Sequence, residues 1–93
     1  MISTDLEQRV ASTTETYLQW IEQHGRQITP DGRVGEALAA DLVGASAKTL
    51  RSMRGQGLGP TFHKTAGRVT YRVADLALWI ERGRQPTLET LEL

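Results

Sequence analysis

Apolar positions recur at three- and four-residue steps early in the chain and at two-residue steps past its middle, so two kinds of element are encoded in one short sequence. From Thr4 to His24, Leu6, Val10, Thr13, Tyr17 and Ile21 fall on one helical stripe, which Leu18 widens and beside which Trp20 lies. Thr4-Asp5-Leu6-Glu7 has capping-box spacing, Gly25 suits a left-handed helix end, and Gln27-Ile28-Thr29-Pro30-Asp31-Gly32 is turn material. A second helix is predicted from Val34 to Val43, with Val34, Ala37, Leu38, Leu42 and Val43 as its apolar set and Ala39 and Ala40 filling in. Gly44-Ala45-Ser46 then ends that helix at a glycine and caps the next at a serine. The following helix, Ala47 to Arg54, buries Leu50 and Met53 and turns Lys48, Thr49, Arg51, Ser52 and Arg54 outward.

After Gly55-Gln56-Gly57-Leu58-Gly59-Pro60, which cannot continue a helix, the period becomes two. Phe62 and Lys64 share a face, and Val69, Tyr71 and Val73 alternate with Arg68, Thr70 and Arg72 around a Thr65-Ala66-Gly67 turn. A β-hairpin with an apolar inner and a basic outer face is expected, with Phe62, Tyr71 and Trp79 in the core. Ala74 to Arg82 returns to helical spacing, with Leu76, Trp79 and Ile80 inward and Asp75 in the first turn; Gly83 ends it. The predicted architecture is mainly α with a small β-hairpin (α+β). It divides into an N-terminal amphipathic helix (1–27), a helix-turn-helix with hairpin (28–84) and a flexible tail (85–93).

Charge changes the picture more than composition does. The 11 Lys+Arg balance 11 Asp+Glu, yet the two signs are segregated. Up to Ala47, Arg9, Arg26 and Arg33 face seven acidic residues, whereas from Lys48 to Arg84 eight basic residues face only Asp75 and Glu81. A basic block beside a helix-turn-helix pattern is the electrostatic footprint of a nucleic-acid-binding surface. A solvated charged face is the plainer reading of such a run. With no cysteine there is no disulfide framework and no thiolate metal site, and two isolated histidines do not make a zinc site. Neither a membrane span nor a signal peptide is recognisable, so a reducing cytoplasm is the expected location. No nucleophile is paired with an acid or base, and 93 residues leave little interior for an enclosed active site. A binding module is expected, with no enzyme activity, cofactor or metal.

Ala39-Ala40-Asp41-Leu42-Val43-Gly44-Ala45-Ser46 leading into Thr49-Leu50-Arg51, then Gly57-Leu58-Gly59-Pro60-Thr61-Phe62-His63-Lys64, then Arg68-Val69-Thr70-Tyr71-Arg72-Val73-Ala74-Asp75-Leu76-Ala77-Leu78-Trp79, carry a family likeness in their order and spacing. Leu38 to Trp79 resembles the small winged-helix DNA-binding domains related to the MerR superfamily, in particular phage and mobile-element excisionases and their regulator relatives. The resemblance implies a winged helix-turn-helix with a recognition helix at Ala47 to Arg54 and a wing at Thr61 to Arg72. It also implies double-stranded DNA as partner, self-association on DNA, and a site-specific recombinase (integrase) as a further partner. Leu38, where relatives often carry an acidic residue, and the additional N-terminal helix depart from the pattern.

Under that reading, Lys48, Thr49, Arg51 and Ser52 are the base-reading candidates, Ser46 and the amides behind it a phosphate seat, and Arg54 a phosphate contact. Lys64 and Arg68 lie at the wing tip with His63 near them, placed for a neighbouring groove or backbone. The N-terminal helix either packs back to enlarge a small core or pairs with a second copy through Tyr17, Trp20 and Ile21. The expected function is sequence-specific DNA binding, in an excisionase (recombination directionality factor) of a prophage or integrative element, or in a small transcriptional regulator. A protein-interaction module that does not bind DNA is the competitor from another class.

Overall fold

The computed structural model describes residues 4–87. Four helices and three strands follow in the order α1 (Thr4–Gln23), β1 (Arg33–Gly35), α2 (Glu36–Val43), α3 (Ala47–Gly55), β2 (His63–Thr65), β3 (Arg68–Arg72) and α4 (Val73–Arg82). The strands form one antiparallel sheet in the order β1-β3-β2, giving a small α+β unit. No helix among the described residues is long and apolar enough to cross a membrane. Of the tail expected at 85–93, residues 88–93 lie outside the described residues.

One strand was not visible in the apolar pattern. Val34 does not open a helix; it sits in β1 opposite Tyr71, and α2 begins only at Glu36. The cause lies just upstream. Thr29-Pro30-Asp31-Gly32 closes on itself, Gly32 N–H donating to Thr29 O and Thr29 N–H to Arg33 O, both at 2.9 Å. The chain is thereby folded back in extended form, and Val73 N–H adds a rung by donating to Gly32 O at 2.9 Å. β1 then runs straight into α2 and β3 straight into α4, each without a loop. Val73 accordingly belongs to α4 as its first residue, where it is buried, rather than to the hairpin.

The core gathers Val34, Leu38, Ala39, Ala40, Leu50, Tyr71, Val73 and Leu76 between the sheet and the helices. Helix α1 lies mainly on α4. Its contribution to the core is Ile21, only 3% exposed, with Tyr17 and Trp20 partly buried against it. A side chain so enclosed cannot also cover a second copy, so the pairing surface drawn through Ile21 is corrected to an internal contact. The α1–α4 seam is tied by Glu81, which accepts from Arg9 Nε at 3.1 Å and from Thr13 Oγ1 at 2.8 Å. Burial, and secondarily Glu81, push the Tyr17 phenol above its ordinary pKa. Trp79 and Ile80, expected inward, are only partly buried; Val73, Leu76 and Ala77 are the residues of α4 that are fully buried. Phe62 is not core at all, being 40% exposed, because it precedes β2 and its ring is drawn aside over a cation.

The hairpin turns tightly at Ala66 and Gly67, between paired Thr65 and Arg68. Both central residues have positive φ, +51° and +80°, the type I′ geometry that matches strand twist. Gly67 adopts this freely, whereas Ala66 pays a steric penalty of about 1 kcal/mol for its Cβ. Asparagine, which tolerates the left-handed region, relieves it. Ala66→Asn is therefore expected to stabilise the protein by about 0.5–1 kcal/mol, read as a rise of a few degrees in Tm. A lower Tm would show that the turn is not type I′ in solution.

Candidate nucleic-acid interface

Helix α3 is positioned by its two ends and by one polar cluster. At its start Gly44 takes φ +76°, letting α2 end and the chain reverse. Ser46 then caps α3, its Oγ accepting from Thr49 N–H at 3.0 Å and donating to Thr49 Oγ1 at 2.8 Å. The Ser46 hydroxyl is thus spent on the cap, which makes it a structural residue more than a phosphate ligand. At the far end Leu58 N–H donates to Met53 O at 2.8 Å and Gly57 N–H to Arg54 O at 3.1 Å, so the helix is closed by a Schellman pair of bonds. Only Leu50 is fully buried along α3.

With so little apolar anchorage, polar contacts set how α3 sits against the sheet. Glu36, in the first turn of α2, accepts from Arg54 Nη1 of α3 and, at 2.9 Å, from Tyr71 Oη of β3. Arg54 Nη1 also donates to Tyr71 Oη at 2.9 Å, and Phe62 covers the guanidinium with its ring centroid 5.5 Å away. The bond to Glu36 raises the already high pKa of Arg54, and burial first, Glu36 next, raises that of Tyr71. Arg54 was a phosphate candidate; its side chain is instead 20% exposed and neutralised, a brace between elements. Arg51 differs. It is 58% exposed and only 3.9 Å from Glu36 at its nearest, so its charge is available.

Lys48, Thr49, Arg51 and Ser52 are all exposed on α3, as the spacing predicted. Ser52 Oγ accepts from Gln56 Nε2 at 3.2 Å, which adds Gln56 to the same outward surface. Strand alternation divides the wing candidates between two faces. Lys64 lies opposite Val69 and so shares the face of Tyr71, the face toward α3. His63, opposite Thr70, and Arg68, opposite Thr65, are on the other face. Lys48, Lys64 and Arg68 make no ion pair among the described residues.

That outer face holds cations the sequence pattern did not assign. Arg33 stands directly opposite Arg72 across β1 and β3, an arrangement that repels unless a counter-charge intervenes. Asp31 supplies it, accepting from Arg33 Nε at 2.9 Å and lying 3.6 Å from Arg72 Nη2. Arg72 Nε also donates to His63 Nε2 at 3.3 Å. Beyond this pair, Arg26, Arg33 and Arg68 line an open cleft of about 690 Å³ with Thr65 and Thr70. Arg33 was missed because β1 was missed, and Arg26 because its partner, Asp41, is 2.9 Å away in space but remote in sequence. No group of three or more potential metal-ligating side chains is gathered among the described residues.

Comparison with protein-family models, with curated proteins and with solved structures gave no match. The functional reading therefore stands on this geometry and on the sequence resemblance.

Two predictions separate structural from available charge. Arg54→Ala leaves the Glu36 carboxylate without its counter-charge, with only the Tyr71 hydroxyl still donating to it, and is expected to cost about 2–3 kcal/mol, somewhat under the cost of breaking a fully buried pair. Arg51→Ala is expected to shift stability by less than about 0.5 kcal/mol. Thermal melts of the two variants check this; equal losses would refute the brace. The second concerns pH. Hydrogen bonds from Thr29 and Arg33, in that order, hold the Asp31 carboxyl down at about 2. A pKa depressed on folding stabilises the native state above the ordinary carboxylate value near ~4, and that contribution fades as pH falls through about 2. A carbonyl-detected NMR titration is expected to place the Asp31 midpoint near 2, and Asp31→Asn to flatten this part of the acid limb of stability.

Proposed function

We propose that the chain binds double-stranded DNA sequence-specifically as a winged helix-turn-helix protein, with α3 in the major groove and the β2–β3 hairpin as the wing. The observation that carries this reading is the outward surface of α3. Lys48, Thr49, Arg51 and Ser52 are exposed and Lys64 is on the α3 side of the hairpin, while the opposite side of the helix is fixed by Leu50 and the Arg54 brace. A helix about 10–12 Å across with its side chains fits a groove about 12 Å wide, and nine residues give it roughly 13 Å of length to present there. Arg51, long and only weakly paired, is the principal base reader, with Thr49 and Ser52 beside it. Lys48 and Lys64 set the register on phosphates, and Arg68 with His63 on the far side of the wing reaches the flanking backbone.

The finer role rests on the resemblance of Leu38 to Trp79 to excisionases: a recombination directionality factor of a prophage or integrative element that binds and bends attachment-site DNA and assists a recombinase. Such factors load side by side on repeated sites. The segregated charges suit head-to-tail contact, since that interface joins two different surfaces.

The test is selection from random duplexes, then mobility-shift titration on the selected and a scrambled duplex at two salt concentrations. Preference for the selected duplex, with affinity falling as salt rises, is the expected result. A stepwise ladder on it supports the excisionase role, and a single dimer-sized shift replaces that role by transcriptional regulation. No preference at either salt overturns specific DNA binding. Arg51→Ala is expected to lose about 1–3 kcal/mol of discrimination, and Lys64→Ala to weaken all duplexes alike while reducing the salt slope by about 1. The reverse pattern would exchange the two assignments.

A further inference from the structure

Helix α1 has 20 residues and α4 has 10, so along roughly half of its ~30 Å length α1 has no α4 residue beside it. Along one flank of the seam, where Glu7 to Glu15 of α1 run beside Ala74 to Leu78 of α4, an open groove of about 480 Å³ remains. Its floor is apolar and shallow in side-chain bulk: Val10, Ala11 and Thr14 from α1, Ala74 and Leu78 from α4. Small residues of this kind let another backbone approach to the 8–10 Å at which helices pack. Its rim is Glu7, Glu15 and Asp75. None of the three makes an ion pair among the described residues, and Glu15 accepts only from Gln19 Nε2, at 3.3 Å. The cation nearest in sequence, Arg9, is turned away to Asp5 and Glu81.

We propose that this groove docks a basic amphipathic helix of a partner protein. An apolar floor between carboxylate rims requires an apolar stripe flanked by lysine or arginine, and a third helix is the element that seats in the groove along two packed helices. Nucleic acid is the wrong occupant, because the rim repels phosphate and the floor offers it no donors. A second copy is the wrong occupant too. The basic helix of this chain is α3, whose apolar side chains, Leu50 and Met53, face its own core. None of the residues assigned to the DNA face lines the groove, so both surfaces are open at once and this inference does not depend on the DNA reading.

The test titrates the full-length, 15N-labelled protein with an 18-residue leucine–lysine peptide patterned as an amphipathic helix, and in parallel with a leucine–glutamate peptide of the same pattern. Amide shifts are expected at Val10, Ala11, Thr14, Ala74 and Leu78 with the basic peptide only. Ala11 is exposed, so Ala11→Tyr fills the floor without touching the core, and is expected to weaken binding at least tenfold. The Glu7→Gln, Glu15→Gln pair is expected to weaken it similarly and to reduce its salt dependence. The proposal is overturned if no binding occurs up to millimolar peptide, if the acidic peptide binds equally well, if the shifts fall elsewhere, or if Ala11→Tyr, melting like the parent, binds unchanged.

Discussion

The carboxylate of Glu36 is where three elements meet. It leaves the first turn of α2, takes a hydrogen bond from Tyr71 of β3 and pairs with Arg54 of α3. Removing a carboxylate and a guanidinium from water is costly, and it is tolerated here because both find charge-assisted partners and the N-terminal end of α2 adds a favourable dipole. The cluster is complete: no buried side-chain nitrogen or oxygen among the described residues lacks a partner. Apolar packing alone would leave α3 weakly oriented, since Leu50 is its one fully buried side chain, with Ala47 and Met53 only partly buried beside it. A directional polar contact fixes what a non-directional one cannot, namely the rotation of α3 about its own axis and hence which side chains it presents.

Charge in this chain accordingly has two distinct uses. Arg54, Arg33, Arg72, Arg9 and Arg26 are each matched by a carboxylate and hold elements together. Lys48, Lys64, Arg68, Arg82 and Arg84 make no ion pair among the described residues, and Arg51 is matched only at 3.9 Å. A count of basic residues by sequence position merges these groups. The surface potential relevant to a polyanion comes from the second group, so the basic block is smaller in effect than its composition implies, and it falls on α3, at the hairpin and at the end of α4.

Much of the fold was legible because local chemistry and tertiary structure agree. The long stripe of α1, the Gly44-Ala45-Ser46 break, the alternation through Val69 and Tyr71 and the helical spacing after Val73 each carry a period or a cap that no distant contact overrides. What was not legible depended on partners far along the chain. Val34 sits four residues before Leu38, which fits a helix as well as it fits a three-residue strand, and only the pairing with Tyr71, 37 residues on, decides between them. Arg54 looks like any outward helix cation until Glu36 and Tyr71 are brought to it. Phe62 continues the alternation of the hairpin on paper, but it lies just before β2 and sits exposed over the Arg54 guanidinium. At the site, the exposed residues of α3 were legible and the cleft of the outer sheet face was not, because that cleft needs β1.

The same constraint explains why α1 coexists with so small a domain. The sheet and α2–α4 bury few large side chains, with Tyr71, Leu50, Leu76, Val34 and Val73 the largest that are fully enclosed. A domain of this size gains from any added apolar area, and α1 supplies it through Ile21, Tyr17 and Trp20 while Glu81 fixes its register by accepting from Arg9 and Thr13. The flank of the same seam, Val10 and Ala11 with the carboxylates around them, is an apolar strip of opposite charge character to α3. One short chain thus keeps a cationic helix and an acidic, partly apolar one on separate surfaces, a separation that the neutral total charge conceals.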